Sequence, residues 1–214
     1  MSDTEFPATL SDAIQQTAKG NKSITYIKSR NDEFTVSYRE LYNRALRLLY
    51  QLQQAGVKQG DELILLAEDN VQFVDVFWAA ILGGITVVPL NAASQNGAQK
   101  RMLSVFQTLN TPFIWTSRTA LQALLQYTDE QQIEPLKPLL QQQALLAEEI
   151  LSDENQASVA EISPQNTAFI QFSSGSTGEP KGVICKYSAN PYPIKSASYK
   201  GGEFGHLPRI NMLR

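Results

Sequence analysis

Cysteine and histidine are almost missing: Cys185 and His206 are the only examples in 214 residues. A single thiol excludes an internal disulfide and a Cys-rich zinc site, and it points to a reducing, cytoplasmic setting. A His-based metal cluster or a Ser-His-Asp triad would rest on one residue. Long hydrophobic runs are also absent. No stretch reaches the roughly 18–20 apolar residues that cross a bilayer, so no membrane span is expected. The N-terminal MSDTEFPATL has neither a basic flank nor an apolar run, and no signal peptide is read there. Nor is there an excess of positive charge. With a formal net charge of −3 and a pI of about 5.3, the chain has no broad field that would gather nucleic acid. What remains is 43% hydrophobic, ordinary for a globular chain. The length suits one domain with a sizeable core, or part of a larger one.

The pattern along the chain alternates. TLSDAIQQTAKG reads as a short helix, with Ser11 as its cap and Gly20 as its stop. FTVSYREL is an extended stretch running into Ser37-x-x-Glu40, a capping box that opens a helix. Leu41, Ala45, Leu48, Leu49 and Leu52 share one face of that helix, and Gly56 closes it. ELILLA, 62–67, is a continuous apolar run expected to form a strand buried on both faces. Asn70 then caps VQFVDVFWAAIL, Gly83 and Gly84 end it, and ITVVPL is the next strand. Strand, helix and strand in so short a span make a βαβ unit with parallel strands. AQKRMLSVFQTL and PFIWT repeat the order. The fold class expected is therefore α/β, a mostly parallel sheet with flanking helices.

Residues 118–150 are glutamine-rich and read as a solvated helical surface, broken near Pro135 and Pro138. Residues 152–166 read as a polar surface connection. TAFIQF, 167–172, and GVIC, 182–185, are strands on either side of a glycine loop. Beyond them the composition changes. Residues 186–214 hold five Lys or Arg and one Glu, a charge of +4, which leaves −7 on 1–185. Three prolines and the lack of apolar period make 186–214 a disordered tail in this reading, and 1–185 the folded part.

The chemistry lies in FSSGSTGEPKG, 172–182. Glycines let the backbone come close to a ligand, and successive N–H groups form a concavity that suits anions. Hydroxyls add donors, and Lys181 adds a cation. This is not a phosphate loop of the G-x-x-x-x-G-K-[ST] kind: counted from Gly175, Pro180 stands where the second glycine belongs and Gly182 where Ser or Thr belongs. The stretch that follows reads as a strand, not a helix. G-x-G-x-x-G is absent.

TAFIQFSSGSTGEPKGV resembles the phosphate-binding signature of the AMP-forming acid ligases, a superfamily of acyl-CoA synthetases, fatty acyl-AMP ligases, luciferases and nonribosomal-peptide adenylation domains. FTVSYREL resembles the early LTYxEL element of that superfamily, and AAILGGITVVPLN its AGxxxVPL element, in the same order. The resemblance covers roughly residues 10–190. It implies the fold of an incomplete N-terminal domain of an adenylate-forming enzyme. It also implies a reaction in which a carboxylic acid attacks the α-phosphorus of ATP, pyrophosphate leaves, and the acyl group passes to the thiol of coenzyme A or of a phosphopantetheinyl carrier protein. ATP and magnesium are the implied cofactors. Ser173, Ser174, Gly175, Ser176, Thr177, Gly178 and Lys181 match the phosphate-binding positions. No catalytic residue and no magnesium ligand is assigned.

The match fades after GVICKYSA, where NPYPIKSASYKGGEFGHLPRINMLR stands in place of the family's amphipathic helix. The expectation is a truncated product with an out-of-frame tail, inactive by itself because the adenine site, most of the acyl pocket and the C-terminal lysine lie elsewhere. A variant P-loop ATPase and a non-catalytic interaction remnant are the alternatives. Cys185, Phe77 and Trp78 read as core, Asp75 as solvent-facing and His206 as incidental.

Overall fold

A computed structural model of the chain describes residues 7–29, 32–90, 97–150, 154–174, 180–188 and 197–199. A first helix, α1 (Leu10–Ala18), precedes an antiparallel ribbon of β1 (Ser23–Ser29) and β2 (Asp32–Ser37). Then come α2 (Tyr38–Gln54), β3 (Glu62–Leu65), α3 (Asn70–Leu82), β4 (Thr86–Pro89), α4 (Ala98–Thr108), β5 (Phe113–Thr116) and α5 (Arg118–Glu130). A 3-10 turn (Glu134–Leu136) leads into α6 (Lys137–Gln143) and β6 (Ala144–Leu146). After a long connection follow β7 (Thr167–Ser174), β8 (Pro180–Lys186) and β9 (Ala197–Tyr199).

Seven of these strands form one sheet in the order β6-β5-β3-β4-β7-β8-β9. β6, β5, β3, β4 and β7 pair in parallel, and β7, β8 and β9 pair antiparallel. The mostly parallel α/β sheet is thus as expected, with an antiparallel edge. Alternation along the strands divides the core. Leu63, Leu65, Val87, Trp115 and Ala168 face α1, α2 and α3, while Ile64, Leu66, Val88, Ile170 and Phe172 face α4, α5 and α6. Both faces are covered, which is why β3 reads as an unbroken apolar run.

Local chemistry fixes the helix ends, and here the sequence reading needs correction. The cap of α1 is Thr9, not Ser11: the Thr9 hydroxyl accepts from the Asp12 N–H while the Asp12 carboxylate accepts from the Thr9 N–H. The cap of α3 is Asp69, not Asn70, and its Oδ1 accepts from the N–H groups of Val71 and Gln72 at 2.8 and 2.9 Å. In α2 Ser37 is the cap as expected, its Oγ accepting from the Glu40 N–H, but the bond from the Ser37 N–H back to the Glu40 carboxylate that would complete a capping box is not formed. The Gly83-Gly84 pair is demanded by packing: a Cβ on Gly83 would collide with Cδ1 of the fully buried Leu49, and Gly84 has φ +67°.

Two further expectations change. The glutamine-rich region is helical in pieces, but Leu124, Thr128 and Leu140 are buried in it, and its end forms the edge strand β6. The packed chain also extends past residue 185. Lys186 continues β8, and Tyr187 is fully buried, its N–H donating to Asn166 O and its carbonyl accepting from Leu10 N–H. β9 pairs with β8 through Ala197–Tyr199. Most of the segment read as a tail lies outside the described residues.

Candidate functional site

Five parallel strands point their C-terminal ends the same way, and the groups of chemical interest collect there. β7 ends in Ser173 and Ser174, and β8 begins with Pro180 and Lys181. The two strands are antiparallel partners, so the glycine loop closes a hairpin and does not open a helix. Ser173 stands opposite Lys181, and Ser174 opposite Pro180. Directly opposed residues put their side chains on the same face, about 5 Å apart at Cβ. Ser173 and Lys181 are both exposed, while the preceding pair, Phe172 and Gly182, is buried. The hairpin is thus anchored by Phe172 on the α4 side of the sheet and presents a hydroxyl and an ammonium at its mouth.

Of the predicted site residues, the structure therefore brings Ser173 and Lys181 together and places Ser174 beside them in the register. Gly175, Ser176, Thr177 and Gly178 lie outside the described residues. His206 also lies outside them. Cys185 is half-buried on β8, and burial pushes its thiol up, away from thiolate character. Phe77 packs among Phe73, Trp78 and Phe169, so the aromatic pair on α3 is core, as read.

Asp75 is not solvent-facing. It forms an ion pair with Arg44 of α2, and burial holds its carboxyl above the usual range although the Arg44 guanidinium pulls the other way. Its Oδ1 is buried with no hydrogen-bond partner among the described residues. The pair lines a cavity of about 370 Å³ between α2, the start of α3 and the ends of β5 and β6. Sequence reasoning missed it. The available signal was Asp75 itself, the one charged residue within the apolar run VQFVDVFWAAIL. Nearby, across the β3–β5 boundary, Ser117 Oγ donates to the Glu68 carboxylate while accepting from the Ala120 N–H, which caps α5.

Among the described residues no group of three or more His, Cys, Asp or Glu could hold a metal ion, and no helix is long and apolar enough to cross a membrane.

The sequence pattern of the family described as AMP-binding enzyme matches residues 14–197. Among curated proteins, the Long-chain-fatty-acid–AMP ligase FadD28 of Mycobacterium tuberculosis is 26% identical over 153 residues, covering 72% of this chain and 26% of the relative. The Pyochelin synthetase PchE of Pseudomonas aeruginosa is 31% identical over 150 residues, 70% of this chain and 9% of the synthetase. Among solved structures, McyG A-PCP complexed with phenylalanyl-adenylate superposes with a TM-score of 0.73 at 32% identity, over 87% of this chain and 33% of that one. The chain spans about a quarter of the length of the fatty-acid ligases it matches.

Proposed function

Because this chain belongs to the AMP-binding enzyme family, we propose that its hairpin loop holds the β- and γ-phosphates of ATP for the AMP-forming activation of a carboxylic acid. The observation that carries this reading is the juxtaposition of Ser173 and Lys181 at the mouth of the β7–β8 hairpin, in a sequence rich in glycine and hydroxyls. The family's chemistry places negative charge on the departing pyrophosphate. Preorganised N–H and O–H donors with a fixed cation stabilise that charge without reorganising. Ser173, Ser174, Gly175, Ser176, Thr177 and Gly178 supply the donors in this reading, and Lys181 supplies the cation. Pro180 has no N–H to give; it opens β8, and the next residue, Lys181, stands opposite Ser173 and supplies the cation in this reading.

The hairpin's hydroxyls and ammonium suit phosphate oxygens and do not form a metal cage. Magnesium, which shields phosphate charge in this chemistry, would be held chiefly by the phosphates themselves. The carboxylic acid, the acceptor thiol of coenzyme A or of a carrier protein, and the groups that complete the reaction belong to the proposal too. Since matched relatives are several times longer, those groups are assigned to sequence outside these 214 residues, and the chain alone is expected to bind ATP without forming adenylate.

The test is equilibrium dialysis of radiolabelled ATP against chain 1–214, with and without magnesium. Lys181→Ala is expected to weaken binding by about tenfold, the loss of one charge-assisted contact. Equal affinity in the variant would overturn the phosphate assignment. Acid-dependent ATP–pyrophosphate exchange by the chain alone, above the Lys181→Ala level, would overturn the division of labour.

A further inference from the structure

The ladder that holds Ser173 opposite Lys181 has little support from its neighbours. It runs in one register from Phe169–Cys185 to Ser174–Pro180, and below Phe169 a bulge interrupts it. On the far side of β7, β4 pairs at Val87–Phe169, well short of Ser173. On the far side of β8, the β9 register reaches Gly182, opposite Tyr199. Among the described residues, Ser173 and Lys181 therefore have no strand pairing except with each other. Above them Pro180 has no N–H for the ladder, and glycine disfavours extended pairing in the loop.

Directly beneath lies the pair Phe172 and Gly182. Alternation along the strands puts it on the opposite face of the sheet from Ser173 and Lys181. Both residues are buried, and Phe172 joins the cluster of Ile64, Val88, Phe106 and Ile184. Glycine inside a strand weakens it, because it has no side chain to pack. Opposite a phenylalanine it has a use. Directly opposed Cβ atoms would stand about 5 Å apart, and with none on Gly182 an aromatic ring on that face has no cross-strand side chain to displace. The next pair down the same face is Ile170 and Ile184, two branched residues. Phe172 is thus the last large apolar side chain of β7 before the mouth, and Gly182 leaves its place free.

We propose, building on the phosphate reading of this hairpin, that Phe172 is a positioning residue for the nucleotide. It lies on the face away from Ser173 and Lys181, and it acts through them. Its ring, seated opposite Gly182, closes the last buried pair of the ladder and so keeps the exposed pair above it formed. Without the ring that pair frays, and the Lys181 ammonium is no longer held across from the Ser173 hydroxyl. The sheet below keeps Ile170, Ile184 and the rest of their cluster, so the loss falls on the site before it falls on the fold.

Two readouts are taken on chain 1–214: the backbone-proton Overhauser contact between Ser173 and Lys181 without nucleotide, and ATP affinity by equilibrium dialysis. Phe172→Ala is expected to abolish the contact and to weaken ATP binding by about tenfold, the loss expected of Lys181→Ala itself. In the Lys181→Ala background Phe172→Ala should cost nothing further, because both changes remove the same contact. Phe172→Tyr retains the ring and should keep both readouts. Gly182→Ala, which sets a methyl opposite the ring and leaves β7 unaltered, should reproduce the losses of Phe172→Ala. Persistence of the Ser173–Lys181 contact in Phe172→Ala overturns the proposal whether or not ATP binds, as does an ATP loss that remains in the Lys181→Ala background. Unfolding of both Phe172→Ala and Gly182→Ala overturns it too, since the pair would then serve the fold alone. If the parent chain binds no ATP, or Lys181→Ala binds it equally, the phosphate assignment fails, and the Overhauser contact by itself decides whether Phe172 holds the mouth.

Discussion

The hydroxyl of Tyr187 donates to the carbonyl of Ile81 at 2.8 Å, which ties the residue just after β8 to the last turn of α3. Both residues are fully buried. Burial raises the Tyr187 hydroxyl far above the ordinary tyrosine range. Below about pH 10 the phenol is neutral in folded and unfolded chains alike, and its contribution is complete. Above that, the unfolded chain ionises first, so the contribution is lost as pH rises. Tyr187→Phe should cost about 1 kcal/mol at neutral pH and flatten the alkaline loss of stability. Urea unfolding at neutral and alkaline pH checks both; an unchanged alkaline slope contradicts the second.

Arg44→Met removes the partner of a half-buried carboxylate. The folded Asp75 carboxyl already titrates above its usual range because of burial, with Arg44 opposing the shift. A raised folded pKa means stability that is present at low pH and lost as pH rises through it. Without Arg44 that window moves upward. The variant should be destabilised by about 1–3 kcal/mol near neutrality, and less in mild acid. Thermal melts across that pH range decide; a penalty that grows toward acid refutes the sign.

Gly83→Ala should be destabilising by about 1–3 kcal/mol, since the added methyl meets the buried Leu49 side chain. Leu49→Ala in the same background should recover part of the loss relative to the sum of the single changes. Strict additivity in denaturant titrations would show that the two positions do not share this space.

Asp69→Ala should cost about 1 kcal/mol through loss of the α3 cap, whereas Asn70→Ala should stay within about 0.5 kcal/mol. Equal effects in chemical denaturation would restore Asn70 as the cap.

These two positions also show where the sequence was legible. The buried strand β3, shorter at Glu62–Leu65 than the 62–67 expected, the parallel alternation and the glycine loop between two strands could be read because apolar runs and glycine spacing are local signals. The caps of α1 and α3 were each missed by one or two residues, since Thr, Ser, Asp and Asn are interchangeable by type and only the backbone angle separates them. β6 was hidden because ALL in a glutamine-rich region carries no strand signal of its own; its partner β5 makes it a strand. For the site, Ser173 and Lys181 were legible as types at a spacing, and the register of β7 and β8 added their pairing. The cavity was not legible. Arg44, Asp75 and Trp115 are 31 and 40 residues apart in steps along the chain, and only the fold makes them neighbours.

The antiparallel edge has a consequence in time. β7 meets β8 across a hairpin, but it reaches β4 only when distant chain closes: Thr86 and Thr167, hydrogen-bonded across that boundary, are 81 residues apart. Hairpins form in about 1–10 μs, while such non-local pairing is slower. The strands that hold Ser173 and Lys181 opposite each other can therefore assemble before the sheet that supports them is complete. Pulse-labelling hydrogen exchange during refolding would show β7–β8 amides protected before the β4 amides; simultaneous protection would mean that the hairpin waits for the sheet.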